Sequence, residues 1–163
     1  MTELTHFDAE GASRMVDVAA KPITERVATA SGRVRMKRAT LELVRDRKSA
    51  KGDVLEVARL AGILAAKQTA GLIPLCHQVP LDAVELSFAF PDPELVAISA
   101  TTRATARTGV EMEALVAVSV AALTIYDMCK AVDREMVIEQ VQLEEKSGGR
   151  SGQFRRASQG AGE

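Results

Sequence analysis

The period of the apolar positions changes several times along this chain, and each change marks an element. Residues 31–38 alternate Val34 and Met36 with basic residues, which predicts a half-buried strand. Residues 39–46 (ATLELVRD) then read as a short helix, and Lys48 to Gly52 as a polar connection. Asp53 has the character of a helix N-cap, with Glu56 three residues on. The apolar positions Val54, Leu55, Val57, Ala58, Ala61, Leu64 and Ala65 follow, and that helix is expected to stop near Gly71. Two prolines in 72–80 (LIPLCHQVP) predict a loop or irregular strand. Val84, Leu86, Phe88 and Phe90 alternate with polar neighbours and predict a strand. After a turn at 91–94 (PDPE), Val96, Ile98 and Ala100 continue as its partner, and residues 136–145 form a last strand. Before residue 31 the chain is mixed and polar, with MVDV at 15–18 a candidate edge strand.

The stretch from Thr108 to Val132 breaks this alternation. Thr108 and Glu111 have capping-box spacing. From Ala114 to Tyr126 there is no charge at all. A helix that is apolar nearly all round is buried, in a core or in an oligomer interface. The small residues Ala117, Ser119, Ala121 and Ala122 permit close packing, and on that ground the protein is expected to be an oligomer. The helix then places Asp127 and Lys130 three residues apart, on one face. Such a pair is either a structural ion pair or a proton-transfer centre.

From residue 32 onward the order is β-α-β-β-α-β. This predicts an α+β, ferredoxin-like fold, an antiparallel sheet with helices on one face. Residues 1–155 are expected to form a single domain. Residues 156–163, the end of a Gly-rich tail, are expected to be disordered.

Composition narrows the function classes. At 163 residues one domain is the default. The net charge of −1 gives no general pull toward nucleic acid or membrane. Aromatic residues make up only 3% of the chain, too few for a base-stacking module. Cys76 and Cys129 are far apart and lack CxxC spacing, which fits reduced thiols in the cytoplasm rather than a disulfide or zinc site. No secretory pattern opens the chain, and the apolar run at 114–126 is short of the ~20 residues a bilayer span needs.

Several residues could carry chemistry, and each has a plainer alternative. Lys51 precedes a helix start in a Lys-Gly-Asp turn; it is a solvated loop lysine or a phosphate contact or proton donor. Cys76-His77 is a buried thiol beside a satisfied histidine, or a pocket wall with an imidazole that titrates near neutrality. Glu113 complements the helix dipole or serves a site with Met112. Lys146 with Gly148, Gly149 and Arg150 resembles an anion cradle, without a Walker pattern.

As literal strings these segments are more specific. LTHFD, MVDV, KGDV, AAKQT followed by LIPLCH, TGVEMEAL with VSVAALTIYDMCKAV, and KSGGRSG stand in this order between roughly residues 4 and 155. The chain resembles the cyclic pyranopterin monophosphate synthase family of molybdenum-cofactor biosynthesis. The resemblance implies a ferredoxin-like subunit in a homohexamer, a trimer of dimers with active sites at dimer interfaces. It implies rearrangement of a cyclised GTP intermediate, 3′,8-cyclo-dihydro-GTP, to cyclic pyranopterin monophosphate with release of pyrophosphate. Matched residue by residue, the acid–base centre falls on Asp127 with Lys51 and Lys130. Substrate contacts fall on Leu75, Cys76, His77, Met112 and Glu113, and basic phosphate-binding positions on Lys21, Arg26, Lys67 and Lys146. Arg150 stands where the family often has Lys; an arginine is a poor proton donor, so a phosphate contact is the most it implies. No cofactor or protein-bound metal is implied, though a triphosphate can bring Mg²⁺ with it. Neither nucleic acid nor membrane is expected as a partner. The alternative on the same fold is a non-catalytic oligomeric nucleotide-binding module, which would gain nothing from a carboxylate at Asp127 near the phosphates.

Overall fold

A computed structural model describes residues 10–46 and 52–157. The elements run β1 (Thr24–Arg35), α1 (Arg38–Arg45), α2 (Val54–Lys67), α3 (Thr69–Leu72), β2 (Ala83–Asp92), β3 (Leu95–Ala106), α4 (Glu111–Cys129), β4 (Val137–Ser147) and β5 (Phe154–Arg155). The strands form one antiparallel sheet in the order β2-β3-β1-β4-β5. Its first four strands with α2 and α4 make the expected ferredoxin-like arrangement. The expected tail lies mostly at 158–163, outside the described residues. Arg156 still belongs to the sheet edge, where its N–H and Nε donate to the carbonyls of Glu144 and Leu143.

β1 begins seven positions before the alternation of Val34 and Met36 suggests. Its earlier inward positions are Arg26, Ala28, Ala30 and Gly32, which carry little apolar signal. They are small because α4 lies across them: a Cβ added at Gly32 would stand 2.5 Å from Val118 Cγ1. The same reasoning extends β3 past Ala100, where Thr102 and Ala104 are the buried positions. The opposite face of the sheet is polar, with Thr29 and Thr101 hydroxyls 3.0 Å apart across the strands.

α4 is apolar nearly all round because it is covered twice within the chain, by the sheet and by α2. Ala117, Ala121 and Ala122 have no exposed surface. Gly62 of α2 faces them, and a Cβ there would stand 2.6 Å from Leu86 Cδ2 and 2.9 Å from the Ala117 carbonyl oxygen. Of the small residues named from the sequence, Ala117, Ala121 and Ala122 serve internal packing, whereas Ser119 is only partly covered within the chain. Among the described residues an exposed apolar stripe runs along α2, at Val57, Leu60 and Leu64, and Leu123 of α4 is exposed as well. By length and composition alone α4 could cross a membrane, but here it is the central core helix.

Helix starts differ in how they are capped. Asp53 caps α2 as expected, accepting from the N–H groups of Leu55 and Glu56. The capping box expected at Thr108 and Glu111 is absent: α4 begins at Glu111 after Val110, with no side-chain cap. MVDV at 15–18 is not a strand; it crosses the surface as an irregular segment.

The topology sorts the molecule into two ends. β3 is antiparallel to β1, so Ala106 lies beside Thr24 and Leu95 beside Arg35. α4 leaves β3 at the Ala106 end and returns the chain to Val137, which pairs with Arg35. α2 runs the opposite way, from the Arg35 end back to Ala83, which pairs with Arg103. The start of α4 thus shares one end of the fold with the finish of α2, and the finish of α4 lies at the other.

Candidate active site

The first end holds a cleft of about 270 Å³. One wall is the loop after α3, with Leu75, Cys76 and His77; a second is Thr108 to Glu113, where β3 passes into α4. The segment with Val16, Val18 and Lys21 closes the third side. His77 Nε2 lies 2.7 Å from the Val16 carbonyl oxygen. A carbonyl only accepts, so this bond requires a proton on Nε2. The imidazole is thereby oriented by the segment that covers the cleft.

Glu113 is buried at the cleft wall. Loss of hydration raises its carboxyl above the ordinary range, and the neighbouring Glu111 adds to the effect, against an opposing backbone hydrogen bond. Burial likewise raises the Cys76 thiol, helped by the charge of Glu113. Both effects disfavour the thiolate at Cys76. Glu111 turns its carboxylate back over Gly109, where a side chain at position 109 would have no room.

The basic positions expected to meet phosphate gather at the same end with different freedoms. Lys21 lines the cleft. Lys67 is exposed in the last turn of α2. Arg26 is buried, and its Nε and Nη2 reach the carbonyl oxygens of Ala106 and Arg107 at 3.3 Å. Gly148 and Gly149, at φ 95° and 74°, wrap against Glu25 and the Arg26 guanidinium, where no side chain would fit. The glycine-rich stretch read as an anion cradle is thus packed on Arg26. Lys146 donates from Nζ to Ser151 Oγ within the same loop.

Asp127 and Lys130 stand at the other end, at the finish of α4. Lys130 Nζ and Asp127 Oδ1 are 2.6 Å apart, and both side chains are more than half exposed. The hydrogen bond to Asp127, and then its charge, raises the Lys130 pKa. Burial opposes these effects and lowers it, to a lesser degree. From Met112 to Asp127 along α4 is about 22 Å at 1.5 Å per residue. No side chain spans that gap. Lys51, the remaining member of the expected acid–base centre, lies outside the described residues. Among the described residues no cluster of three or more His, Cys, Asp and Glu could hold a metal ion.

A family model described as the MoaC family matches residues 15–149. The chain belongs to the MoaC family. It is 64% identical over 161 residues to a cyclic pyranopterin monophosphate synthase of Magnetococcus marinus, covering 98% of each chain. It is 63% identical over 155 residues to cyclic pyranopterin monophosphate synthase 1 of Mycobacterium tuberculosis H37Rv, covering 95% of this chain and 91% of the relative. A cyclic pyranopterin monophosphate synthase of Brevibacillus brevis is 53% identical over 154 residues.

In this MoaC-family chain the cleft also uses residues that sequence reasoning left out as site members: Val16, Val18, Thr108, Gly109 and Glu111. The string MVDV stood out only as text, because its contribution is a backbone carbonyl, which no side-chain pattern announces. Glu111 was absorbed by the capping-box reading, and only its folded-back conformation reveals a place in the wall.

Proposed function

We propose that this protein is a cyclic pyranopterin monophosphate synthase. It takes 3′,8-cyclo-dihydro-GTP, opens and recloses the purine-derived ring as a pterin, and forms the cyclic phosphate as a ribose hydroxyl attacks the α-phosphate and pyrophosphate leaves. The observation that carries the reading is 53–64% identity, over most of the chain, to curated relatives of that name. The gathering of His77, Cys76, Met112, Glu113 and Lys21 around one cleft supports it.

The cleft end binds in this reading. Leu75, Cys76, His77, Met112 and Glu113 hold the base and ribose, while Lys21, Arg26, Lys67 and Lys146 offset the triphosphate charge. Asp127, Lys51 and Lys130 move protons, an acid and amines poised by one another. The length of α4, which sets Asp127 far from its own chain's cleft, supports a site completed by a second copy. We assign the assembly to a homohexamer of three dimers in the cytoplasm, with Mg²⁺ entering, if at all, on the triphosphate. A non-catalytic nucleotide-binding module is the rival, and Asp127 speaks against it, because a carboxylate near the phosphates repels a polyanion, whereas a proton-transfer site needs one. The test is to supply the cyclised intermediate and follow pyrophosphate and the pterin product by mass spectrometry. Binding of the intermediate without either product would decide for the rival.

A further inference from the structure

The connection after α4 carries Lys130 and is almost wholly exposed. Of residues 130–136 only Asp133 and Met136 turn inward. The Asp133 side chain has no exposed surface. Its Oδ2 accepts from the Lys37 backbone N–H at 2.9 Å and from the Thr40 hydroxyl at 3.1 Å. Its Oδ1 accepts from the Glu135 N–H at 3.2 Å, and the exposed Lys37 ammonium is 3.9 Å away. These partners hold the carboxyl below its ordinary pKa, the Lys37 backbone hydrogen bond foremost.

Lys37 is the N-cap residue of α1 and supplies no side-chain cap of its own. The carboxylate at this helix start comes from Asp133, far away in sequence, and it accepts from the cap residue's own N–H and from the Thr40 hydroxyl. A local Ser or Asp would serve the helix start equally well. A distant one does something further: it clamps the α4–β4 connection onto the β1–α1 junction. That junction is fixed in turn by the Met36 N–H on the Glu94 carbonyl. The clamp passes directly to the acid–base pair. The N–H groups of Val132 and Asp133 both donate to the Cys129 carbonyl, Lys130 N–H donates to Tyr126, and the Tyr126 hydroxyl donates to the Arg134 carbonyl. A buried carboxylate is a poor device for stability alone, since well-packed apolar residues often do as well.

We propose that Asp133 is a positioning residue for Asp127 and Lys130: by holding the start of α1 it fixes the height and direction at which the end of α4 presents the pair to the neighbouring copy's cleft. The proposal rests on Asp127 and Lys130 being the acid–base pair.

Asp133→Asn keeps the size but sets an amide N–H₂ against donors, so at least one of Lys37 N–H and Glu135 N–H loses its acceptor. Thr40→Val removes one bond of the clamp without adding a donor and covers the case in which Asp133→Asn does not fold. Lys37→Met removes only the exposed ammonium and leaves the backbone bond. Single-turnover kinetics, with enzyme in excess over the cyclised intermediate, separate the roles: the rate constant reports each folded molecule and the amplitude reports how many are folded. A rate constant lowered roughly tenfold or more in Asp133→Asn is expected, with a smaller fall in Thr40→Val and Lys37→Met within about twofold of the parent, because small displacements of reacting groups are costly to rate. KM should change little, since the cleft lies at the other end of α4. Parental rate constants in the folded Asp133 and Thr40 variants, with only the amplitude lowered, would overturn the proposal while the pair's own assignment stood. Lys130→Ala is run beside them: if it turns over at the parental rate constant, the acid–base assignment itself fails and takes the proposal with it.

Discussion

Two inactive variants should restore each other if the site is shared between chains. His77→Ala damages the cleft, and Asp127→Asn removes the proposed base at the other end of α4. The cleft wall at Met112 and the end of α4 at Asp127 are set apart by about 22 Å of helix, several times the reach of any side chain. If every site draws its cleft from one chain and its acid–base pair from another, a mixed dimer holds one site damaged twice and one intact. Random assortment of equal amounts makes half of the dimers mixed, so about a quarter of all sites, and about a quarter of parental turnover, should return. Co-expression with two different affinity tags, sequential purification of the mixed species and an assay for pyrophosphate release measures this. Turnover no greater than the sum of the two separate variants would refute the shared site, because a site built within one chain has no intact copy in any mixture.

Lys51→Ala should fold and assemble normally, with stability within about 0.5 kcal/mol of the parent, yet lose turnover; a normal rate would remove Lys51 from the site. Asp127→Asn should abolish product while leaving substrate binding within about tenfold and the melting temperature unchanged, since its pair with Lys130 is exposed in the chain. Gly62→Ala should lower stability by about 1–2 kcal/mol, the overpacking against Leu86 and Ala117 outweighing the gain in helix propensity, and so lower Tm by roughly 2–8 °C; a rise in Tm would show that the α2–α4 contact gives way easily. Glu113→Gln should raise Tm at neutral pH while weakening substrate binding. Its folded pKa is raised, so the folded state bears the cost of ionisation only as pH climbs past the unfolded value of about 4.3, and the gain in Tm should vanish below that pH.

The fold was legible wherever side chains on one face of an element share one character. Leu86 and Phe88 announced β2, Val96 and Ile98 announced β3, and Asp53 marked the start of α2. The early half of β1 was not legible, because a strand that lies under a close-packed helix must be small and reads as Ala, Thr and Gly. The burial of α4 was legible but its partner was not. An apolar surface is the same whether α2 or another subunit covers it, and only the approach of Gly62 decides between them. At the site, His77, Cys76 and Glu113 could be named from the sequence, whereas the Val16 carbonyl that orients His77 could not, since every residue has one. Asp133 escaped for a related reason. Its partners at Lys37 and Thr40 are over ninety positions away, and no spacing rule relates a carboxylate to a helix start at that distance.

The antiparallel run of α2 and α4 explains why such a chain would need a copy of itself. Because the two helices oppose each other, the loop after α2 and the start of α4 must share one end, which builds a cleft with the walls Leu75–His77 and Thr108–Glu113. The same opposition sends the finish of α4 to the far end, where Asp127 and Lys130 stand in solvent. Both side chains are more than half exposed, and the Lys130 pKa is set foremost by the hydrogen bond and charge of Asp127. An acid–base centre works best when water is excluded and its partners are fixed. Both conditions would be supplied by seating the finish of one α4 against the cleft of another copy. In a two-fold pair each chain would then give one end and receive the other, so both clefts are completed by a single contact. The apolar stripe Val57, Leu60 and Leu64, exposed along α2 between the two ends, is surface that such a contact could cover.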